Sequence, residues 1–294
     1  MTRIDSSVAS IAVTLFLFTK SDIKTTVIPV GFFAMAAAPM TNISRLPHVL
    51  FWIWLNILHF NISNQTLDPK EDAINKKYRP IPSGRITLSN AILLRWALLP
   101  LVLVHSALYS VETVYASIAL AIITFIYDEM HAHAGHWLVR HALNVVGYAS
   151  FHVGASLVAG SPLHTLDANG VLAVLISAGI TATTIHAQDF KDVHGDRAIG
   201  RRTVPISFPA FARWTVLIPL IVWSIVLSIL WQLDVVVSCA FTTLAIFIGG
   251  RYLLLRNVSE DQVSYYWYNV WLSIANALPG YYRIRHMEIS LPNL

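Results

Sequence analysis

Nine stretches of this chain, at about 24–40, 46–63, 88–107, 111–127, 137–159, 168–188, 213–231, 234–250 and 262–281, are apolar over a length that crosses or nearly crosses a bilayer. A helix of about 20 such residues spans the hydrocarbon core. The pattern predicts an all-α, multi-pass membrane protein, a single integral-membrane domain over residues 1–294 with nine transmembrane helices. Only 12% of the residues are charged, about half the usual fraction of a soluble domain, which argues against an ordinary soluble enzyme. The single cysteine, Cys239, excludes a disulfide framework. Ahead of the first span, Val8 to Phe18 is apolar but short and is followed at once by Lys20, Asp22 and Lys24. Residues 1–23 are therefore read as an interfacial segment rather than a span or a cleaved signal.

Basic residues concentrate on the cytoplasmic side of a membrane protein. With the N-terminus inside, sixteen of the 20 Lys and Arg fall on that side, three on the other, and Arg95 falls within the third span. The expected topology is N-in and C-out, and in a eukaryote the expected membrane is the endoplasmic reticulum. Arg95 is costly in lipid unless it snorkels or faces the bundle.

Two cytoplasmic loops, 64–87 and 188–212, hold nine of the Lys and Arg, ten with Arg213 at the edge of the second, together with six acids. The first contains Asn64, Asp68, Glu71 and Asp72, then Asn75-Lys76-Lys77-Tyr78-Arg79-Pro80-Ile81-Pro82-Ser83-Gly84-Arg85. The second contains Gln188, Asp189, Lys191, Asp192 and Asp196, then Gly200-Arg201-Arg202-Thr203-Val204-Pro205. At an offset of 124 residues, Asn64, Asp68 and Asp72 fall on Gln188, Asp192 and Asp196. An amide-x3-Asp-x3-Asp pattern thus occurs twice, each time where a span ends, as a duplicated helical half would place it.

Carboxylates at i and i+4 share one face of a helix and repel unless a cation lies between them. Oxygen ligands without cysteine indicate a hard ion, and Mg²⁺ combines a few carboxylates with water and phosphate oxygens. Two such faces across a cavity would hold Mg²⁺ and a diphosphate, with neighbouring Lys and Arg on the diphosphate oxygens. One DxxxD alone is more often a solvated turn; its repetition beside two basic, proline-containing loops favours chemistry.

On these motifs the chain resembles the UbiA superfamily of intramembrane enzymes that use isoprenyl diphosphates, over nearly its whole length. The family pattern N-D-x-x-D-x-x-x-D matches at Asn64, Asp68 and Asp72, with Gln65 in place of its second residue. The second pattern matches at Asp192 and Asp196, preceded by Asp189. Many members carry Lys-Arg entering the fifth span, where this chain has Val139-Arg140. The resemblance implies a helical bundle around a central cavity, with Asn64, Asp68, Asp72, Asp189, Asp192 and Asp196 as metal ligands. It implies diphosphate contacts from Asn64, Lys76, Arg79, Arg85, Arg140, Lys191, Arg201 and Arg202, and catalytic roles for Asp68, Asp72, Asp192, Asp196, Arg79 and Tyr127. Tyr127-Asp128, the segment from Val139 to Asn144, and Gly195 to Arg201 are most similar to a fungal branch of membrane-bound sesquiterpene cyclases, which ionise farnesyl diphosphate and close the cation on its own double bonds.

The alternative within the superfamily is a prenyltransferase that moves the prenyl group to a small aromatic or other acceptor, although no acceptor signature is recognisable. An ion-coupled transporter is a remote third reading, since transport sites lie near the bilayer midplane rather than at helix ends. Trp52, Trp54, Phe60, Trp96, Tyr127, Tyr148, Trp267 and Trp271 are candidates to line the cavity and stabilise a cation. His131, His133, His136 and His141 cluster between spans four and five, but their spacing matches no closed zinc site. His186 is placed for a supporting role near the second motif. The lipid bilayer and the isoprenyl diphosphate are the expected partners, with no nucleic acid and no obligatory protein partner.

Overall fold

The computed structural model describes residues 8–39, 42–67, 69, 72, 76–132, 135–160, 163–198 and 200–286. The described chain is helical without a β-strand, and a backbone bridge joins His136 to Arg202. The main helices are α1 (Val8–Thr19), α2 (Ile28–Ala37, entered through a π-helical turn Ile23–Val27), α3 (Leu46–Leu67), α4 (Leu88–Ala107), α5 (Val111–Asp128), α6 (Trp137–Ala159), α7 (Ala168–Thr184), α8 (Trp214–Leu230), α9 (Val235–Leu254) and α10 (Val258–Arg285). Each of the nine apolar runs lies on one of these helices. Starts are set by side-chain caps that take up orphan backbone N–H groups: Thr87, Ser110, Asp167, Asp234 and Asn257 each accept from the amide three residues on.

Five helical segments are long and apolar enough to cross a bilayer: Leu88–Ala107, Val111–Asp128, Trp137–Ala159, Ala168–Ala198 and Val235–Leu254. The protein is a membrane protein on this evidence, but α2 and α8 are shorter, and α3 and α10 carry polar inner faces. Asn56, Asn61 and Gln65 on α3, and Asn269, Asn276 and Arg283 on α10, are all buried. The outward faces are apolar, with Leu93, Val104, Ile122, Leu175, Ile218 and Phe247 exposed, as lipid rather than water requires.

At the middle of the bundle α2 packs against both α10 and α6. Asn276 on α10 donates to the Pro29 carbonyl at 3.1 Å, joining α10 to the start of α2. Arg283 at the foot of α10 is buried; it pairs with Asp167 at 2.6 and 2.8 Å and donates to the Ala37 carbonyl. That contact ties α10, the end of α2 and the start of α7 together at the end of the bundle opposite the acidic motifs. Arg95, unplaced by sequence, is buried and ion-paired with Glu129 just beyond α5.

Close helix approach depends on Gly154 of α6, where a Cβ would lie 2.2 Å from the Trp52 ring of α3. Trp52 is itself fixed by donating to the Ser106 hydroxyl at 2.9 Å. The ring has nowhere to move, so Gly154→Val should destabilise the protein by about 1–3 kcal/mol or more. The check is a lower melting temperature in detergent, followed by size-exclusion elution of heated samples.

Candidate active site

A cavity of about 550 Å³ lies at the end of the bundle where both acidic motifs fall, lined by residues of both. Asn64, Asp72, Lys76 and Arg79 come from the first motif and its loop; Gln188, Lys191, Asp192 and Arg201 come from the second. Tyr127 and Arg140 of the predicted set also line it, whereas Asp189 and Asp196 lie outside the lining. A smaller cavity of about 170 Å³ adjoins it and is lined by Ile57, Leu120, Ile123, Leu143 and Phe151, among others. Asp22, Phe60, Tyr127, Arg140, Tyr148 and Gln188 belong to both linings. The site is therefore a polar, charged chamber joined to a smaller and more apolar one, whose wall also carries Thr26, Asn56, Thr124 and Asn144.

The first motif rides on the end of α3. Asn64 donates to Asp128 at 3.0 Å, joining α3 to the end of α5. Asp72 is buried, and one guanidinium nitrogen of Arg79 reaches both its oxygens at 2.7 and 2.8 Å. The Lys76 amide donates to the Asp72 carbonyl and the Arg79 amide to the Lys76 carbonyl, and these successive turns bring Arg79, seven residues beyond Asp72, back onto it. Asp68 lies outside the described residues, as do Glu71 and His133.

The second motif departs from the α-helical face expected of it. After Thr184 the chain tightens into a 3₁₀ segment, Ile185–Asp192, then resumes as a short helix, Val193–Ala198. In 3₁₀ winding residues i and i+3 eclipse, which changes the phase of Asp189 and Asp192 from that of α winding; Gln188 and Asp192 line the larger cavity, and Asp189 lines neither. Asp189 is buried and paired with Arg140 at 2.7 Å; Asp192 is half-exposed in the cavity beside Lys191. Asp196 is buried and pairs with Arg201 at 2.8 Å. Gly200, at φ +73°, makes the left-handed turn that brings Arg201 back to it.

Each described motif carboxylate is thus held by a cation. Among the described residues no three acids or histidines form a ready-made metal cluster. The donor set nonetheless suits a hard ion: Oδ2 of Asp189 and Oδ2 of Asp196 are buried without a hydrogen-bond donor, and every candidate ligand is oxygen. Positive charge also outweighs negative among the described lining residues, with Lys20, Lys24, Lys76, Arg79, Arg140, Lys191 and Arg201 against Asp22, Asp72 and Asp192. Burial, and then the neighbouring Arg79 and Lys191, hold the Lys76 ammonium below the usual lysine range. A polyanion would relieve that crowding.

Arg85 and Arg202 are exposed and line neither cavity. Of the eight aromatic candidates, Phe60, Tyr127 and Tyr148 line the chambers, with the Phe60 and Tyr127 rings 5.8 Å apart. Trp52 and Trp271 are buried in helix packing, Trp54 donates to Thr19, and Trp96 and Trp267 are exposed. His186 stacks on His141 at 5.9 Å and contacts Thr215 at 3.0 Å, behind the Arg140–Asp189 pair. Sequence reading missed Lys20, Asp22 and Lys24, and also Tyr265 and Tyr266, all of which line the larger cavity. Lys24 sits 3.6 Å from the Tyr266 ring centre and Lys20 5.1 Å from that of Tyr78. The signal was three charges spaced two apart at the mouth of an apolar run, read as the edge of a membrane segment.

Residues 26–272 match the model of the UbiA prenyltransferase family. The chain belongs to the UbiA prenyltransferase family. Within it, the chain is 34% identical over 276 residues to the fumagillin beta-trans-bergamotene synthase of Aspergillus fumigatus, covering 92% of this chain and 93% of that one. It is 30% identical to a diterpene cyclase of Hericium erinaceus, covering 86% of this chain and 83% of that one. Among solved structures it is similar to a UbiA homolog from Archaeoglobus fulgidus bound to GPP and Mg²⁺, with a TM-score of 0.64, 18% identity, and coverage of 94% and 99% of the two chains. This UbiA protein is accordingly an enzyme of the terpene synthase or prenyltransferase type.

The Arg140–Asp189 pair offers a test of the UbiA site's construction. Removing one partner of a buried pair leaves an uncompensated charge, at about 3–5 kcal/mol. Arg140→Ala should therefore lower thermal stability in detergent, and adding Asp189→Asn should recover part of that loss without recovering turnover. Equal stability of the single and double variants would show that the pair is not the contact holding α6 to the 3₁₀ segment.

Proposed function

We propose that this protein is a Mg²⁺-dependent intramembrane enzyme that ionises an isoprenyl diphosphate, farnesyl diphosphate in the first instance, and cyclises the carbocation to a terpene. The observation that carries this reading is the joined pair of chambers, one charged and one apolar, sharing Phe60, Tyr127 and Tyr148. Two relatives named for terpene formation, each at least 30% identical over more than four-fifths of both chains, support cyclisation over transfer. In this reading the nine apolar helices cross the membrane with the N-terminus in the cytoplasm, the two basic loops lie on that side, and in a eukaryote the membrane is that of the endoplasmic reticulum.

Asn64, Asp68 and Asp72 on one side, and Asp189, Asp192 and Asp196 on the other, would hold Mg²⁺. When bound, the metal supplies positive charge to the diphosphate leaving group. Lys76, Arg79, Lys191 and Arg201 bind diphosphate oxygens and orient the prenyl chain toward the apolar chamber. As the allylic C–O bond breaks, its electron pair leaves with the diphosphate, and these fixed cations stabilise the charge that develops there. Arg140 keeps Asp189 ionised and in place, and Tyr127 accepts from Arg140 at 3.4 Å. Ile57, Leu120 and Phe151 exclude water from the carbocation. The faces of Phe60, Tyr127 and Tyr148 are placed to stabilise it until an internal double bond attacks.

The experiment supplies membranes containing the protein with farnesyl diphosphate and Mg²⁺ but no acceptor. A cyclic hydrocarbon in the organic extract, released with equimolar diphosphate and abolished by EDTA, is the expected result. Asp68→Ala and Asp192→Ala should each lower turnover by about 10²-fold or more. Near-full activity of either folded variant would overturn the metal assignment. Product formed only after a phenolic or other acceptor is added would replace cyclisation with prenyl transfer.

A further inference from the structure

A cyclisation cascade ends when a proton leaves the last carbocation, either to a base within reach of the hydrocarbon or to the released diphosphate. Asp22 is the sole carboxylate among the described residues lining the apolar chamber, and it lines the charged chamber as well. The local backbone explains its position. Asp22 precedes the π-helical turn Ile23–Val27, and its carbonyl accepts from the amides of both Thr26 and Val27, at 2.8 and 3.0 Å. The widened turn interrupts regular winding at the cavity wall, a geometry that recurs at functional sites.

The surroundings of Asp22 differ from those of the motif acids. Asp72, Asp189, Asp192 and Asp196 each pair with Arg or Lys. Asp22 is instead held by two neutral donors, the Ser21 hydroxyl at 2.7 Å and the amide of buried Asn61 at 3.0 Å. Both act on Oδ2, which leaves Oδ1 as the oxygen they do not engage. The Asp22 carboxylate is therefore held by neutral donors on one oxygen, whereas each described motif carboxylate is paired with a cation.

We infer that Asp22 is the base that terminates the cascade. The inference rests on the cyclase reading above. In the step, a C–H bond next to the cationic carbon breaks, its electron pair becomes the new C=C bond, and the proton passes to Oδ1 of Asp22. The neutral acid then releases that proton through the charged chamber to solvent or to the departing diphosphate. Asp22 takes no part in breaking the C–O bond, so ionisation and termination separate on substitution.

The test uses the full chain in membranes with farnesyl diphosphate and Mg²⁺, measuring diphosphate release and organic products in parallel. Asp22→Asn keeps the size and polarity of the side chain without its basicity. It should release diphosphate at a rate within about fivefold of the parent, while the parent hydrocarbon falls by about tenfold or more, replaced by water-quenched terpene alcohols and other isomers. Asp22→Glu retains a carboxylate one methylene further out, and should keep hydrocarbon as the main product class with a shifted double-bond position. An unchanged product profile in either variant would overturn the assignment. So would a fall in diphosphate release that parallels the fall in hydrocarbon in both variants while they elute as the parent does on size exclusion. Failure of the cyclase reading is seen separately, as the absence of any cyclic hydrocarbon from the unsubstituted protein.

Discussion

The ion pair between Arg140 and Asp189 joins α6 to the 3₁₀ segment that follows α7, and both partners are buried. A carboxylate in such a place stays ionised only with a cation against it, so the second motif is tied to the position of α6. Arg79 likewise pairs with Asp72, and Arg201 with Asp196. The consequence is an assembly in which loops that would be mobile on their own are held by charge to the ends of packed helices. Arg95 with Glu129 and Arg213 with Asp261 extend the arrangement around the same end of the bundle.

Those pairings also bear on ligand entry. A metal competing for Asp189 or Asp196 meets an oxygen already shared with arginine and a second oxygen without a donor. Partial exchange, in which the guanidinium keeps one oxygen and the ion takes the other, costs less than displacing arginine altogether. In the reading proposed above, each arginine would keep its carboxylate oxygen while its remaining N–H groups could turn to phosphate oxygens.

Much of this was legible in the sequence, because membrane spans and charge are long-range patterns that need no packing information. The apolar runs located the helices, and the duplicated amide and aspartate spacing located the larger cavity. The helical phase of the second motif was not legible: nothing in Gln188-Asp189-Phe190-Lys191-Asp192 distinguishes 3₁₀ from α winding, since the choice follows from tertiary contacts with α10 and the turn Val204–Ser207. Arg85 and Arg202 read like phosphate contacts because residue type and proximity in sequence carry no direction, and both prove to be exposed. Trp52 and Trp271 likewise belong to helix packing, their indoles satisfied by Ser106 and Ser224. Asp22 was hidden for the opposite reason. Its neighbours Lys20 and Lys24 made it look like the polar margin of a span, and only the π-helical turn shows that the chain bends there into the cavity wall.

The 3₁₀ segment after α7 has a consequence for distance as well as direction. Eight residues rising about 2.0 Å each extend about 16 Å, where α winding would cover about 12 Å. The segment between Thr184 and Asp192 therefore acts as a spacer of set length, carrying the second aspartate motif about one helical rung further from the bundle centre than α geometry allows. How tightly these eight residues are wound thus sets how far Asp192 lies from the end of α7.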